Sequence, residues 1–104
     1  MSENLIELNE SNFDEIITSG KVLVDFWAPW CGPCKQLGPI LEKVKAEVGD
    51  EASIGKVNVD ENPSLAAKFN VRSIPTILLF NNGELSKTLV GLKREDELVN
   101  LIRC

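Results

Sequence analysis

The run Val22-Leu23-Val24-Asp25-Phe26-Trp27-Ala28 narrows the possible folds more than any other stretch of the chain. Its β-branched and aromatic residues do not alternate with polar ones. It therefore reads as a strand covered on both faces, the kind found inside a parallel or mixed sheet. Pro29 closes it. Cys31 and Cys34 follow, and then Leu37, Ile40, Leu41, Val44 and Val48 recur at helical spacing until Gly49. Pro39 falls inside that periodic stretch, where a kink is expected rather than a break. A doubly covered strand running into an amphipathic helix points to an α/β domain.

The flanking segments agree. Leu5, Ile6 and Leu8 read as a first strand. Asn9 or Ser11 can cap a helix through Phe13, Ile16 and Ile17, with Asp14 and Glu15 favourable at its positive end and Gly20 ending it. Ile54, Val57 and Val59, with Lys56 among them, form a third strand. Pro63 opens a short helix carrying Leu65, Ala66, Ala67 and Phe69. Thr76-Ile77-Leu78-Leu79-Phe80 is a fourth strand, and Asn81-Asn82-Gly83-Glu84 turns it into a fifth over about Leu85 to Val90. Leu98, Leu101 and Ile102 face the core from a last helix. The order is βαβαβαββα. Its strand-helix-strand units imply parallel pairing and its hairpin adds antiparallel strands, so the sheet is mixed, with helices on both faces.

At 104 residues the chain is expected to be a single domain over 1–104, able to bury a core without metals or structural disulfides. With 43% apolar and 26% charged residues it has globular composition, and no apolar run approaches the length of a membrane span. A net charge of -5 without a basic cluster makes nucleic acid an unexpected partner. Met1-Ser2-Glu3-Asn4 has neither the basic flank and apolar core of a secretory signal nor a transit-peptide pattern. The expected location is the cytoplasm, where thiols are kept reduced.

The chain has three cysteines and no histidine. A closed zinc site normally takes four such ligands, and a structural disulfide framework fits poorly with an odd count in a reducing compartment. What remains for Cys31 and Cys34 is thiol-disulfide exchange. At a helix N-terminus the free amides and the positive end of the dipole stabilise an anion, so Cys31 is favoured as thiolate and as the exposed attacker. Cys34 lies one turn further in, close enough to bond to Cys31 and sheltered as the resolving sulfur.

Magnitudes show what such tuning achieves. An ordinary thiol is roughly 3% ionised at pH 7, and one brought to neutrality is roughly half ionised. Intrinsic nucleophilicity falls along the way with a Brønsted slope of about 0.4 to 0.5, leaving a net gain of about three- to fourfold in attack. The larger benefits are Cys31 as a leaving group and the high effective concentration of Cys34. Gly32 and Pro33 are small enough to let a substrate backbone approach, and they are the residues expected to tune the redox potential. Pro33 also presets the first helical turn.

Asp25 is the anomaly of the central strand. Burial should raise its pKa, partly opposed by Lys56 if that ammonium lies nearby. Two readings stay open: a buried acid satisfied by Lys56, or a base that takes the proton from Cys34, directly or through water, with Lys56 tuning it.

Three segments then carry a resemblance: Val24-Asp25-Phe26-Trp27-Ala28-Pro29-Trp30-Cys31-Gly32-Pro33-Cys34-Lys35, Val57-Asn58-Val59-Asp60, and Arg72-Ser73-Ile74-Pro75-Thr76. In order and spacing they resemble the thioredoxin family over essentially the whole chain. The resemblance implies a central five-stranded sheet flanked by four helices and a cis Pro75 packed beside a redox-active Cys31-Cys34 pair, with Ile74 pairing to an extended substrate segment. It implies a docking surface of Trp30, Gly32, Pro33, Ile74, Pro75, Val90, Gly91 and Leu92. It further implies no bound cofactor, electrons from NADPH through thioredoxin reductase, disulfide-containing proteins as substrates, and a monomer. A depressed thiol pKa is itself a known property of that family. Gly38 and Ser73 depart from the commonest pattern without consequence, whereas Cys104 is a thiol outside the motif, either inert or open to dimerisation or glutathionylation. Three functions stand at this point: a general protein-disulfide reductase, an oxidant or isomerase, and a binding module without redox turnover.

Overall fold

The computed structural model describes residues 5–104. The N-terminal reading at Met1 to Asn4 lies outside the described residues. In chain order the elements are β1 (Ile6–Leu8), α1 (Phe13–Ile17), β2 (Lys21–Trp27), α2 (Gly32–Val48), β3 (Ser53–Asn58), α3 (Pro63–Lys68), β4 (Thr76–Asn81), β5 (Glu84–Val90) and α4 (Glu95–Arg103), with a short 3-10 turn at Gly49–Glu51. The sheet runs β1-β3-β2-β4-β5. Strands β1, β3 and β2 are parallel, and β4 and β5 are antiparallel to their neighbours.

Strand β2 sits at the middle of the sheet, which is why its sequence is apolar without alternation. Successive side chains of a strand point to opposite faces. Val22, Val24 and Phe26 enter one core with Phe13, Ile17, Leu65 and Phe80 on the α1 and α3 side. Leu23 enters the other with Leu37, Leu41, Val44, Leu98 and Ile102 on the α2 and α4 side. Asp25 shares the parity of Leu23, so the one acid of the strand faces the layer that carries the cysteines. Phe13, Phe69 and Phe80 close the first core with tilted and edge-to-face contacts at 5.3 to 5.7 Å.

Several boundaries differ from the sequence reading by a residue or two. Ala28 and Val59 lie just beyond their strands, and Leu5 just before β1. Asn9 caps the turn before α1, its Oδ1 accepting from the backbone amides of Ser11 and Asn12, while Ser11 contributes no cap. Helix α2 runs unbroken through Pro39. The hairpin turn places Asn82 and Gly83 at φ of 52° and 89°, the left-handed geometry that two-residue hairpin loops require. Asn82 also fastens the turn to the α1–β2 connection, exchanging hydrogen bonds with Gly20.

Candidate active site

Because β2 and β3 are parallel and β4 and β5 antiparallel to each other, four chain segments converge at one end of the sheet. Those segments are the C-terminal ends of β2, β3 and β5 and the N-terminal end of β4. Trp27, Asn58, Thr76 and Val90 are the residues that stand there. The chain leaves β2 through Ala28 and Pro29, and the backbone amide of Cys31 turns back to donate to the carbonyl of Ala28 at 3.2 Å.

Cys31 is the N-cap of α2. Its backbone is extended (φ -90°, ψ 115°), Gly32 and Pro33 follow as the first two helical residues, and its Sγ accepts the amide of Cys34 at 3.2 Å. A sulfur thus takes the place that a serine or aspartate oxygen usually fills, satisfying one of the free amides of the first turn. The same bond favours negative charge on that sulfur. Cys31 and Cys34 are joined as a disulfide with Cα atoms 5.3 Å apart. It packs on Ala28, Trp27, Val59 and Ile74. One expectation is corrected: Cys31 is not exposed. It keeps only 6% of its surface against 2% for Cys34, because Ala28 and the Ile74 loop close around both sulfurs. Cys31 is still the more accessible of the two.

Ile74 and Pro75 reach the disulfide from the loop before β4. Their peptide bond is cis, and the Ile74 carbonyl oxygen lies 3.8 Å from Cys31 Sγ. The amide of Gly91 donates to the carbonyl of Pro75 at 2.8 Å, which brings the Val90-Gly91-Leu92 corner alongside. Gly91 takes φ of 98°, a conformation that favours glycine. Around the sulfurs stand three of the large apolar side chains left in water: Trp30 at 69%, Val90 at 55% and Leu92 at 42% exposure. Among the described residues one more, Leu85, lies at the opposite, hairpin end of the sheet.

Asp25 lies at zero exposure, and neither carboxylate oxygen has a hydrogen-bond partner among the described residues. Burial pushes its pKa up to about 7, with the Lys56 ammonium pulling weakly the other way. Lys56 stands opposite Asp25 in the β2–β3 register, but its ammonium sits 4.4 Å over the Trp27 ring. The reading of Asp25 as an acid satisfied by Lys56 therefore fails on geometry. A cleft of about 530 Å³ lined by Trp27, Cys34, Lys35, Gly38, Pro39, Glu42, Lys43 and Lys56 leads from solvent to Cys34. Among the described residues no cluster of His, Cys, Asp or Glu could hold a metal ion, and no helix is long and apolar enough to cross a membrane.

One participant escaped sequence reasoning. The Trp30 indole N–H donates to Asp60 Oδ2 at 2.9 Å, and the amide of Asp60 is held by Asn58 Oδ1 at 2.9 Å. The partners are 30 positions apart, so no local pattern announces the bond. Its effect is to fix the largest exposed ring beside the sulfurs.

Comparison with known proteins agrees with this geometry. The Thioredoxin family model matches residues 4–104. Similar proteins include the thioredoxin of Staphylococcus haemolyticus, 48% identical over 98 residues with 94% of each chain covered, and that of Bacillus subtilis, 44% identical over the same coverage. The thioredoxin of Buchnera aphidicola is 49% identical over 90% of this chain and 89% of its own. A mutant thioredoxin from Halobacterium salinarum superposes with a TM-score of 0.88 at 36% identity, over 98% of this chain and 90% of the other. A cysteine pair built into a helix cap, a neighbouring cis-proline loop and a match along nearly the whole sequence lead to one conclusion: the chain belongs to the thioredoxin family of disulfide oxidoreductases.

Proposed function

We propose that residues 1–104 act as a single-domain, monomeric general protein-disulfide reductase of the cytoplasm, re-reduced by thioredoxin reductase with electrons from NADPH. The observation that carries this reading is the position of the two sulfurs. Cys31 caps α2 at the edge of an exposed apolar face, while Cys34 lies beneath it at the end of a solvent-reaching cleft.

In the reduced protein the Cys31 thiolate, held by the Cys34 amide and the helix end, attacks one sulfur of a substrate disulfide. A Cys31–substrate bond forms, the substrate disulfide breaks, and the first substrate thiolate departs. Trp30, Gly32, Pro33, Pro75, Val90, Gly91 and Leu92 seat the substrate, and the backbone of Ile74 aligns its chain as an added strand. Asp25, buried on the sheet face that carries the cysteines, takes the proton of Cys34 directly or through water, with Lys56 tuning it. The Cys34 thiolate then attacks Cys31, releasing the second substrate thiolate and closing the internal disulfide. Two electrons have passed to the substrate. A carboxylate titrating near 7 suits this work, since it is a competent base at neutral pH and still able to give the proton back.

Catalysed reduction of insulin disulfides, followed as NADPH consumption with thioredoxin reductase, tests the reading. The parent chain is expected to sustain turnover and Cys31→Ser to abolish it. Equal rates with and without the protein, or an active Cys31→Ser variant, contradict it.

A further inference from the structure

The chain is acidic, with 16 Asp and Glu against 11 Lys and Arg. Its docking face is not. Within two positions along the chain of Trp30, Gly32, Pro33, Ile74, Pro75, Val90, Gly91 or Leu92, the charged residues are Lys35, Arg72, Lys93 and Arg94, all cations. Arg94 is paired with Asp96 at 3.2 Å, whereas Lys35, Arg72 and Lys93 make no ion pair among the described residues. The acid that the fold brings to the face is Asp60, occupied by the Trp30 indole. The cleft reaching Cys34 continues the pattern, with Lys35, Lys43 and Lys56 against Glu42. Clefts away from the face have the opposite sign: Glu7 and Glu61 stand against Lys56 on the β1 side, and Glu47, Glu95 and Asp96 against Arg103 between α2 and α4.

Resting on the reductase reading above, we propose that the docking face prefers protein disulfides flanked by Asp or Glu, the acidic side chains lying over Arg72, Lys93 and Lys35. An extended substrate segment rises about 3.3 Å per residue. Residues two or three from its cysteine therefore lie about 7 to 10 Å from the reacting sulfur. Arg72 stands at a similar reach, two residues from the Ile74 carbonyl beside Cys31, and Lys93 two residues from the Gly91 amide that holds Pro75.

The molecule's net negative charge does not cancel this. At physiological salt the screening length is about 8 Å, short of a molecule measuring 30 × 29 × 23 Å. At contact the substrate feels the nearby cations and little of the remote acids. Two or three screened pairs at such distances are worth about threefold in encounter or binding, so exchanging acidic for basic flanks changes the rate about five- to tenfold.

The test uses pre-reduced protein in single-turnover reactions with three synthetic peptides carrying the same disulfide between glutamate, glutamine or lysine flanks, at physiological salt. The glutamate peptide is expected to react about fivefold or more faster than the lysine peptide. Arg72→Glu and Lys93→Glu each lower that ratio towards unity. Lys68→Glu makes the same change in net charge beside Gly83 and Leu85 at the hairpin end and leaves the ratio unaltered. A parent ratio at or below one, with the glutamine peptide reduced normally, overturns this inference alone. So does a Lys68→Glu effect as large as that of Arg72→Glu. Failure to reduce any of the three peptides overturns the reductase reading and the preference with it.

Discussion

Asp25 carries the clearest consequence at the scale of single residues. An acid buried without partners titrates near 7 in the fold and near its ordinary 3.8 when unfolded. The unfolded chain therefore gives up this proton first, and stability falls as pH rises from about 4 through about 7, after which the loss is constant. Three units correspond to a cost of about 4 kcal/mol at high pH. Asp25→Asn removes the titration but leaves a buried amide short of partners, at about 1 to 3 kcal/mol. The variant is expected to be the more stable protein at pH 8, by about 1 to 3 kcal/mol, and to lose that advantage by pH 4. Denaturant unfolding of the disulfide form at both pH values measures it, and parallel pH profiles for the two proteins would show that Asp25 does not titrate in this way. A protein that keeps such a carboxylate gives up stability at neutral pH, in keeping with the proposed role of Asp25 as the base for Cys34.

At the scale of elements, the site depends on β1, β3 and β2 keeping their register, since that register sets Asp25 opposite Lys56 and places Asn58 where it can hold Asp60. Gly55 is the tight point. A Cβ there would stand 2.5 Å from Leu8 Cδ1 and 3.2 Å from the Ile6 carbonyl oxygen. Leu8 is fully buried and cannot swing into water. Gly55→Ala is expected to destabilise the fold by about 1 to 3 kcal/mol through overpacking, seen as a lower denaturant midpoint at unchanged slope. An unchanged midpoint would mean that β1 is free to move off β3. Elements of this kind were largely legible in the sequence. The unalternating run of β2, the helical spacing of α2 and the Asn-Asn-Gly turn each follow from a local period or a local torsion. The ends of elements were less so, because Ala28 and Val59 are as apolar as strand residues and only hydrogen bonding sets them outside. The least legible features are contacts between distant segments. The Trp30–Asp60 bond, the seat of Lys56 over Trp27 and the burial of Cys31 under the Ile74 loop depend on which segments the sheet order brings together.

For the whole molecule, the topology gathers functional groups from four chain segments at one end of the sheet and leaves the hairpin at the other. The net charge and the charge of the docking face have opposite signs for the same reason, since residues scattered along an acidic sequence converge there. The central claim is a division of labour in which Cys31 attacks and Cys34 resolves. Replacing Cys34 with serine removes the resolving sulfur and preserves the attacking one, and Cys104, exposed and free, serves as an internal comparison. The most direct measurement is to expose reduced Cys34→Ser protein to a disulfide-containing substrate and locate the mixed disulfide by peptide mass spectrometry. A stable adduct on Cys31 is the expected result; no adduct, or one confined to Cys104, would contradict the assignment.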